Sequence, residues 1–342
     1  MKKYTSIDLF SGAGGMSEGL RQAHFKTKLA FEIDPTASAT YKLNHPETFV
    51  FTQDIRTIDL DDVRRKLWSK PLHLLAGCPP CQGFSSIRRL NRNKPVDDER
   101  NSLINEYVRF VDALNPCTIM LENVPGLAMS EEFHKAVQHL RERYNIDYQI
   151  VNVRDYGVPQ SRKRLVMVGS RLAPIQVAPP TKIKSTVRDI IGGLPTPEES
   201  NDAVHHIFPH HIARIQQLIS QVPHNGGSLR DLGDEWQLAC HKASNVGFND
   251  VYGRLRWDDY STTITGGCLN PSKGRFLHPE QDRCISAREA SMLQTFPEDY
   301  LFPTDVAKTK VALMIGNALP PLFCRIQAEN IMEHLKRHLN LE

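Results

Sequence analysis

The chain has 342 residues, of which 40% are hydrophobic and 24% charged, the balance of a soluble globular protein with room for about two domains. Its net charge of +3, from 42 Lys and Arg against 39 Asp and Glu, argues neither for nor against a nucleic-acid partner, so such a contact must come from a local basic patch. Seven cysteines without framework spacing fit free thiols; the opening Met1-Lys2-Lys3-Tyr4 is not a signal pattern, no apolar run reads as a bilayer span, and the expectation is a cytoplasmic protein.

The first half alternates short apolar runs with helical patterns. Strands are predicted at 6–10, 28–33, 49–52, 72–76, 118–122, 148–153 and 165–169, and helices at 16–23, 103–114 and 131–143. That alternation implies an α/β fold with a doubly wound, mainly parallel sheet covered on both faces. After Gly169 the pattern changes. Pro174, Pro179, Pro180, Pro195, Pro197 and the Gly192-Gly193 pair punctuate the chain, and an irregular stretch continues to about residue 283. It reads as a smaller β-rich domain of short strands and loops. Residues 287–293 then look helical, and a long helical pattern runs over 309–339 around a turn at Gly316-Asn317. No internal repeat or low-complexity segment is evident.

The chemistry-bearing residues fall at strand ends, where open sheets of this class bind their ligands. Asp8-Leu9-Phe10-Ser11-Gly12-Ala13-Gly14-Gly15 follows the first strand and opens a helix; its glycines allow close backbone approach, and the helix start offers unpaired N–H groups. Glu32 ends the second strand, placed to hold ribose hydroxyls. Asp54, followed by Ile55, ends the third, placed to accept from an adenine amino group. Each signal is weak alone; three in succession are much stronger.

The fourth strand leads into Gly77-Cys78-Pro79-Pro80-Cys81-Gln82-Gly83-Phe84-Ser85. A thiol there suits nucleophilic catalysis. A buried apolar cysteine, a redox pair and half a zinc site are the other readings; no second Cys-x-x-Cys supports zinc. Glu122, in Leu121-Glu122-Asn123-Val124-Pro125-Gly126, places a carboxylate at the next strand end for proton assistance. In Gln160-Ser161-Arg162-Lys163-Arg164 the arginines alternate, so that both can face one side. The segment Arg88-Arg89-Leu90-Asn91-Arg92-Asn93-Lys94 is basic and suits a mobile lid over a phosphate backbone. His205, His206, His210 and His211 lack a cysteine or carboxylate at matching spacing, so solvated or DNA-facing histidines are favoured over a metal site.

Taken together these motifs resemble the DNA (cytosine-5)-methyltransferases of bacterial restriction–modification systems. In the family's order they are Asp8 to Gly15, Glu32, Asp54, Pro80-Cys81-Gln82, Glu122-Asn123-Val124, Gln160-x-Arg162-x-Arg164, Arg288-Glu289 with Leu293-Gln294-Thr295-Phe296-Pro297, and Gly316-Asn317-Ala318-Leu319-Pro320-Pro321. They cover nearly the whole chain except its middle. Gln53 and Leu319 depart from the commoner glycine and valine.

The resemblance implies an S-adenosylmethionine-dependent methyltransferase fold, with S-adenosylhomocysteine as product and no metal. Its catalytic residues would be Cys81, Glu122, Arg162 and Arg164. Phe10, Gly12, Gly14, Glu32, Asp54, Ile55, Pro80, Leu103 and Asn317 would bind the cofactor. Gln82, Ser85, Arg88, Arg89, Arg92 and Gln160 would contact double-stranded DNA, from which the target cytosine must be flipped. The expected layout is a catalytic and cofactor-binding domain over 1–172, a target recognition domain over 173–283, and a return segment over 284–342 that completes the first. A monomer is expected, with a cognate restriction endonuclease as a possible companion. The alternatives are a tRNA cytosine-5 methyltransferase, a catalytically silent DNA-binding homologue, and a nicotinamide oxidoreductase suggested by the glycine turn alone.

Overall fold

The computed structural model describes residues 4–67, 71–80, 103–236 and 250–339. The chain divides into two compact units. The first comprises Met1–Tyr156, Lys163–Lys182 and Leu319–Glu342; the second comprises Gly157–Arg162 and Ile183–Ala318. The compact units therefore part at 182 and 318, whereas the sequence suggested 172 and 283. The helices after 284 pack with the second unit, and only the last one returns to the first.

The first unit is built on seven strands: β1 (Thr5–Leu9), β2 (Lys26–Phe31), β3 (Phe49–Phe51), β4 (Leu74–Gly77), β5 (Thr118–Asn123), β6 (Asn145–Asn152) and β7 (Lys163–Ser170). They form one sheet in the order β3-β2-β1-β4-β5-β7-β6. The pairs from β3 to β5 are parallel, and β7 inserts antiparallel between β5 and β6. Strand order reverses between β1 and β4. The crevice beyond their carboxyl ends is where open α/β sheets take ligands.

Both faces of the central strands are buried, which explains their near-continuous apolar runs. Phe31 stacks on Phe51 at 4.8 Å and meets Phe110 edge-on at 5.0 Å. Helix Leu103–Leu114 buries Ile104, Tyr107, Phe110 and Val111, one stripe at helical spacing. Helix Glu131–Leu140 starts where the Ser130 hydroxyl accepts from the Phe133 N–H at 3.1 Å, a standard N-cap. The opposite face carries α1 (Gly15–Gln22) and helix Pro321–His338. These two approach so closely that a Cβ on Gly19 would lie 2.5 Å from both the Cys324 Cβ and the Pro321 carbonyl oxygen.

The pattern read over 309–339 is two helices, Lys308–Asn317 and Pro321–His338. Pro320 and Pro321 separate them, because a residue preceding proline is driven out of the helical region. Taken as one, Lys308–His338 has the length and composition of a membrane span, contrary to the sequence expectation, yet 67% of its most apolar window is buried in the protein.

The second unit was expected to be rich in β-strands. Among the described residues it contains helices Val187–Ile191, Ala213–Gln221, Ala287–Leu293 and Lys308–Asn317, 3-10 turns and isolated bridges. Side chains bond many of its backbone groups in place of a strand ladder. Arg254, fully buried, donates to the carbonyls of Ile219, Val222, His278 and Gln281 and to the Asp282 carboxylate. Arg283 forks onto buried Glu289 at 2.8 and 2.7 Å.

Candidate active site

The cofactor-type motifs gather at the carboxyl ends of β1 and β2. After β1 the chain turns through Phe10 (φ 60°), Gly12 (φ 55°) and Gly14 (φ 98°), the last capping α1. Glu32 accepts from the Gly12 N–H and the Asp34 N–H, both at 2.8 Å. The carboxylate thus braces the glycine turn. Burial raises the Glu32 carboxyl above its ordinary value, and the two N–H donors oppose this. Among the described residues a Cβ on Gly12 would meet nothing within 4 Å, so they leave the turn open at that point. An open turn flanked by a carboxylate fits a nucleoside-bearing cofactor.

The other expected pocket residues are placed as follows. Asp54 caps the short turn Ile55–Thr57 and is gripped by Arg56, which holds its carboxyl below the usual range. Ile55 is buried. Leu103 opens its helix and packs against the first unit's core. Pro80, at the end of the described segment after β4, is half-buried. Asn317 ends helix Lys308–Asn317 and belongs to the second unit.

On β5 and β7 the structure brings Glu122 and Arg164 together. The Arg164 Nε donates to the Glu122 Oε1 at 2.8 Å, with both side chains largely buried. Burial pulls the guanidinium below its ordinary value, and Glu122 opposes that. Cys78 follows β4, and its N–H donates to the Leu9 carbonyl. Burial pushes the Cys78 thiol well up, and the nearby Glu122 carboxylate adds to the shift. That environment is wrong for a thiolate nucleophile.

Asn123 has a function that the sequence reading did not assign. Its Nδ2 donates to the Pro79 carbonyl at 2.8 Å, and its Oδ1 accepts from the Val124 N–H at 2.8 Å. The Glu122-Asn123 dipeptide therefore anchors the chain just ahead of Cys81. The only available signal was the adjacency of Asn123 to the acid. Asp8 was likewise unassigned. It is buried on β1, accepts from the Ser17 hydroxyl at 2.6 Å, and Ser17 meets the Tyr41 hydroxyl at 2.6 Å. Its Oδ1 has no hydrogen-bond partner among the described residues. Burial raises the Asp8 carboxyl to about 7, with Ser17 opposing and Glu32 adding.

Gln160 and Arg162 lie in the second unit and are buried there. Gln160 donates to the Gln294 Oε1 at 2.7 Å and accepts from the Ile264 N–H at 2.8 Å. Arg162 donates to the carbonyls of Ile264, Gly316 and Ala318. As placed, both hold their own unit together, so the arrangement lends no support to a DNA contact for Gln160 or a catalytic contact for Arg162. Alternation put Arg162 and Arg164 on one side; the unit boundary between them assigns them different partners.

His205 bonds the Ser286 hydroxyl and the Pro195 carbonyl, and His206 bonds the Ser200 carbonyl. Cys81, Gln82, Ser85, Arg88, Arg89 and Arg92 lie outside the described residues.

The sheet order, the glycine turn and the acid after β2 together define an α/β methyltransferase. The chain belongs to the C-5 cytosine-specific DNA methylase family, whose profile matches residues 4–333, and it is an enzyme. It is 34% identical to the Type II methylase M.HgiDII of Herpetosiphon aurantiacus, over 96% of this chain and 95% of that one. It is 32% identical to the Type II methyltransferase M1.HphI of Haemophilus parahaemolyticus, over 96% and 87%. A solved E. coli structure, described as a prophage-encoded DNA modification methyltransferase, superposes with a TM-score of 0.71 at 27% identity, covering 98% of this chain and all of that one.

Proposed function

We propose that the protein transfers a methyl group from S-adenosylmethionine to C5 of a cytosine flipped out of a specific double-stranded DNA sequence, as a restriction–modification methyltransferase. The observation that carries this reading is the buried pair of Glu122 on β5 and Arg164 on β7, with β5 lying beside β4, which leads directly into Pro80-Cys81-Gln82.

The cofactor supplies an electrophilic methyl group. Glu32 and the turn at Gly12 and Gly14 would hold its nucleoside and methionine parts, with Phe10, Asp54, Ile55, Pro80 and Leu103 lining the rest of the pocket. The Cys81 thiolate adds to C6 of the base, which makes C5 nucleophilic. Glu122 bonds N3 and the exocyclic amine and stabilises the charge that develops on the ring. Arg164 orients Glu122 and contacts the base oxygen. Once C5 had displaced the thioether S-adenosylhomocysteine from the methyl carbon, a base would remove the C5 proton and Cys81 would leave as the ring regained its double bond. Gln82, Ser85, Arg88, Arg89 and Arg92 contact the DNA, and residues 173–283 read its sequence. The enzyme works as a monomer.

The test is covalent trapping on 5-fluorocytosine duplex DNA. Cys81→Ser should form no adduct and transfer no methyl group, while Cys78→Ala should retain most of both. Labelling at Cys78, or methylation of tRNA in preference to duplex DNA, would overturn the reading.

A further inference from the structure

Residues 251–257 of the second unit are all buried except Arg256. Its neighbours fix the backbone on both sides. The Arg254 N–H donates to the Gly227 carbonyl at 2.8 Å and the Leu255 N–H to the Leu277 carbonyl at 2.9 Å. The Trp257 N–H donates to the Asn225 Oδ1 at 2.8 Å.

The Arg256 side chain lies across a turn built to receive it. Asn225 (φ 53°) and Gly226 (φ 114°) are both left-handed, a conformation that glycine adopts without strain. A Cβ on Gly226 would fall 2.4 Å from the Arg256 Nε. Arg275 holds the turn by donating to the Gly226 carbonyl at 2.7 Å.

Nearby arginines are consumed by close carboxylates: Arg188 by Asp258, Arg275 by Asp250 and Arg283 by Glu289. Among the described residues Arg256 has only Asp259, at 3.9 Å, and its side chain is 59% exposed. An exposed guanidinium with a rigid base and a loosely held charge is prepared for an external acceptor.

We infer that Arg256 is a specificity-determining residue that reads one guanine of the target sequence. This rests on the proposed methylation of duplex DNA. Two parallel N–H donors match the O6 and N7 acceptors that guanine presents in the major groove. The pinned backbone favours a base edge over a phosphate, because phosphate contacts position a protein without reading sequence.

The experiment uses the full-length enzyme and a library of duplexes randomised around the methylated cytosine, read by bisulfite sequencing. Arg256→Lys and Arg256→Gln are compared with wild type, along with Gly226→Ala, which displaces the side chain without removing it. Wild type should require guanine at one position. The Arg256 variants should lose discrimination there by roughly 5- to 150-fold, the range set by one bidentate pair, and keep it elsewhere. Gly226→Ala should relax the same position by less. An equal loss across all sequences with a flatter salt dependence would show a phosphate contact and overturn the assignment, as would an unchanged profile. If wild type methylated no duplex, the underlying reading would fail before any variant was compared. Unchanged melting of each variant excludes misfolding.

Discussion

Arg164 and Glu122 occupy neighbouring antiparallel strands and meet at 2.8 Å, with 14% and 8% of their side chains exposed. Each belongs to a different sequence motif, and the sheet register joins them. Removing one partner leaves the other buried and unpaired.

Arg164→Met should therefore cost about 3 kcal/mol of folding stability, the low end for breaking a buried pair, since both side chains keep some exposure. The double variant Arg164→Met, Glu122→Leu should recover much of that loss and remain inactive. Urea denaturation of the two single variants and the double checks this. Strict additivity of the single losses would mean that the two side chains do not interact.

Asp8 gives a pH signature. Its carboxyl is raised from 3.8 to about 7, chiefly by burial. As pH rises between those values, the unfolded chain ionises Asp8 while the folded chain still holds the proton. Folding stability from this residue therefore falls across that window and levels off above about 7. Asp8→Asn should remove the dependence. Buried His45 and His278, both lowered to about 4, act in the opposite sense below their ordinary value, so the quantity to measure is the stability difference between wild type and variant. A difference constant across the window would contradict the placement of Asp8.

Gly19→Ala should destabilise by about 1–3 kcal/mol, the usual cost of overpacking. The clash involves the Pro321 carbonyl and the Cys324 Cβ, and neither can rotate away. The variant should show a lower melting temperature with the same denaturant dependence. An unchanged melting temperature would mean that the two helices pack less closely than described.

A chimera exchanging residues 183–318 with those of a relative should fold and move the methylated sequence. One joined after 283 should express less soluble protein, because that junction parts Arg283 from Glu289. Arg162 tolerates the longer exchange because it bonds backbone carbonyls at 264, 316 and 318, which any sequence supplies. Equal solubility of both chimeras would argue against the boundary at 318.

The sheet was legible because each central strand is a short apolar run bounded by turn residues. β6 was read from 148 although it begins at Asn145, because Asn145 and Asp147 flank Ile146 and leave it isolated from the apolar run. The candidate site was legible where carboxylates and strand ends coincide, as at Glu32 and Glu122. It was not legible at Asn123 and Asp8: the first bonds a carbonyl 44 residues away, and the second bonds the Ser17 hydroxyl on α1, which in turn meets Tyr41 on another helix. The second unit defeated periodicity because arginine side chains such as Arg254 bond carbonyls spread along the chain, and such bonds leave no repeat in the sequence.

The contact between Gly19 and helix Pro321–His338 also dictates when the enzyme matures. At ribosomal speeds of 5–20 residues per second, about 300 residues and roughly 15–60 s separate the emergence of these two surfaces. Until the last helix arrives, α1 stands without its packing partner beside the turn at Gly12 and Gly14. The whole second unit has been translated by then. A nascent chain thus carries all seven strands of the sheet and the whole second unit before α1 gains its packing partner, so the glycine turn is the last part of the sheet's ligand edge to be buttressed.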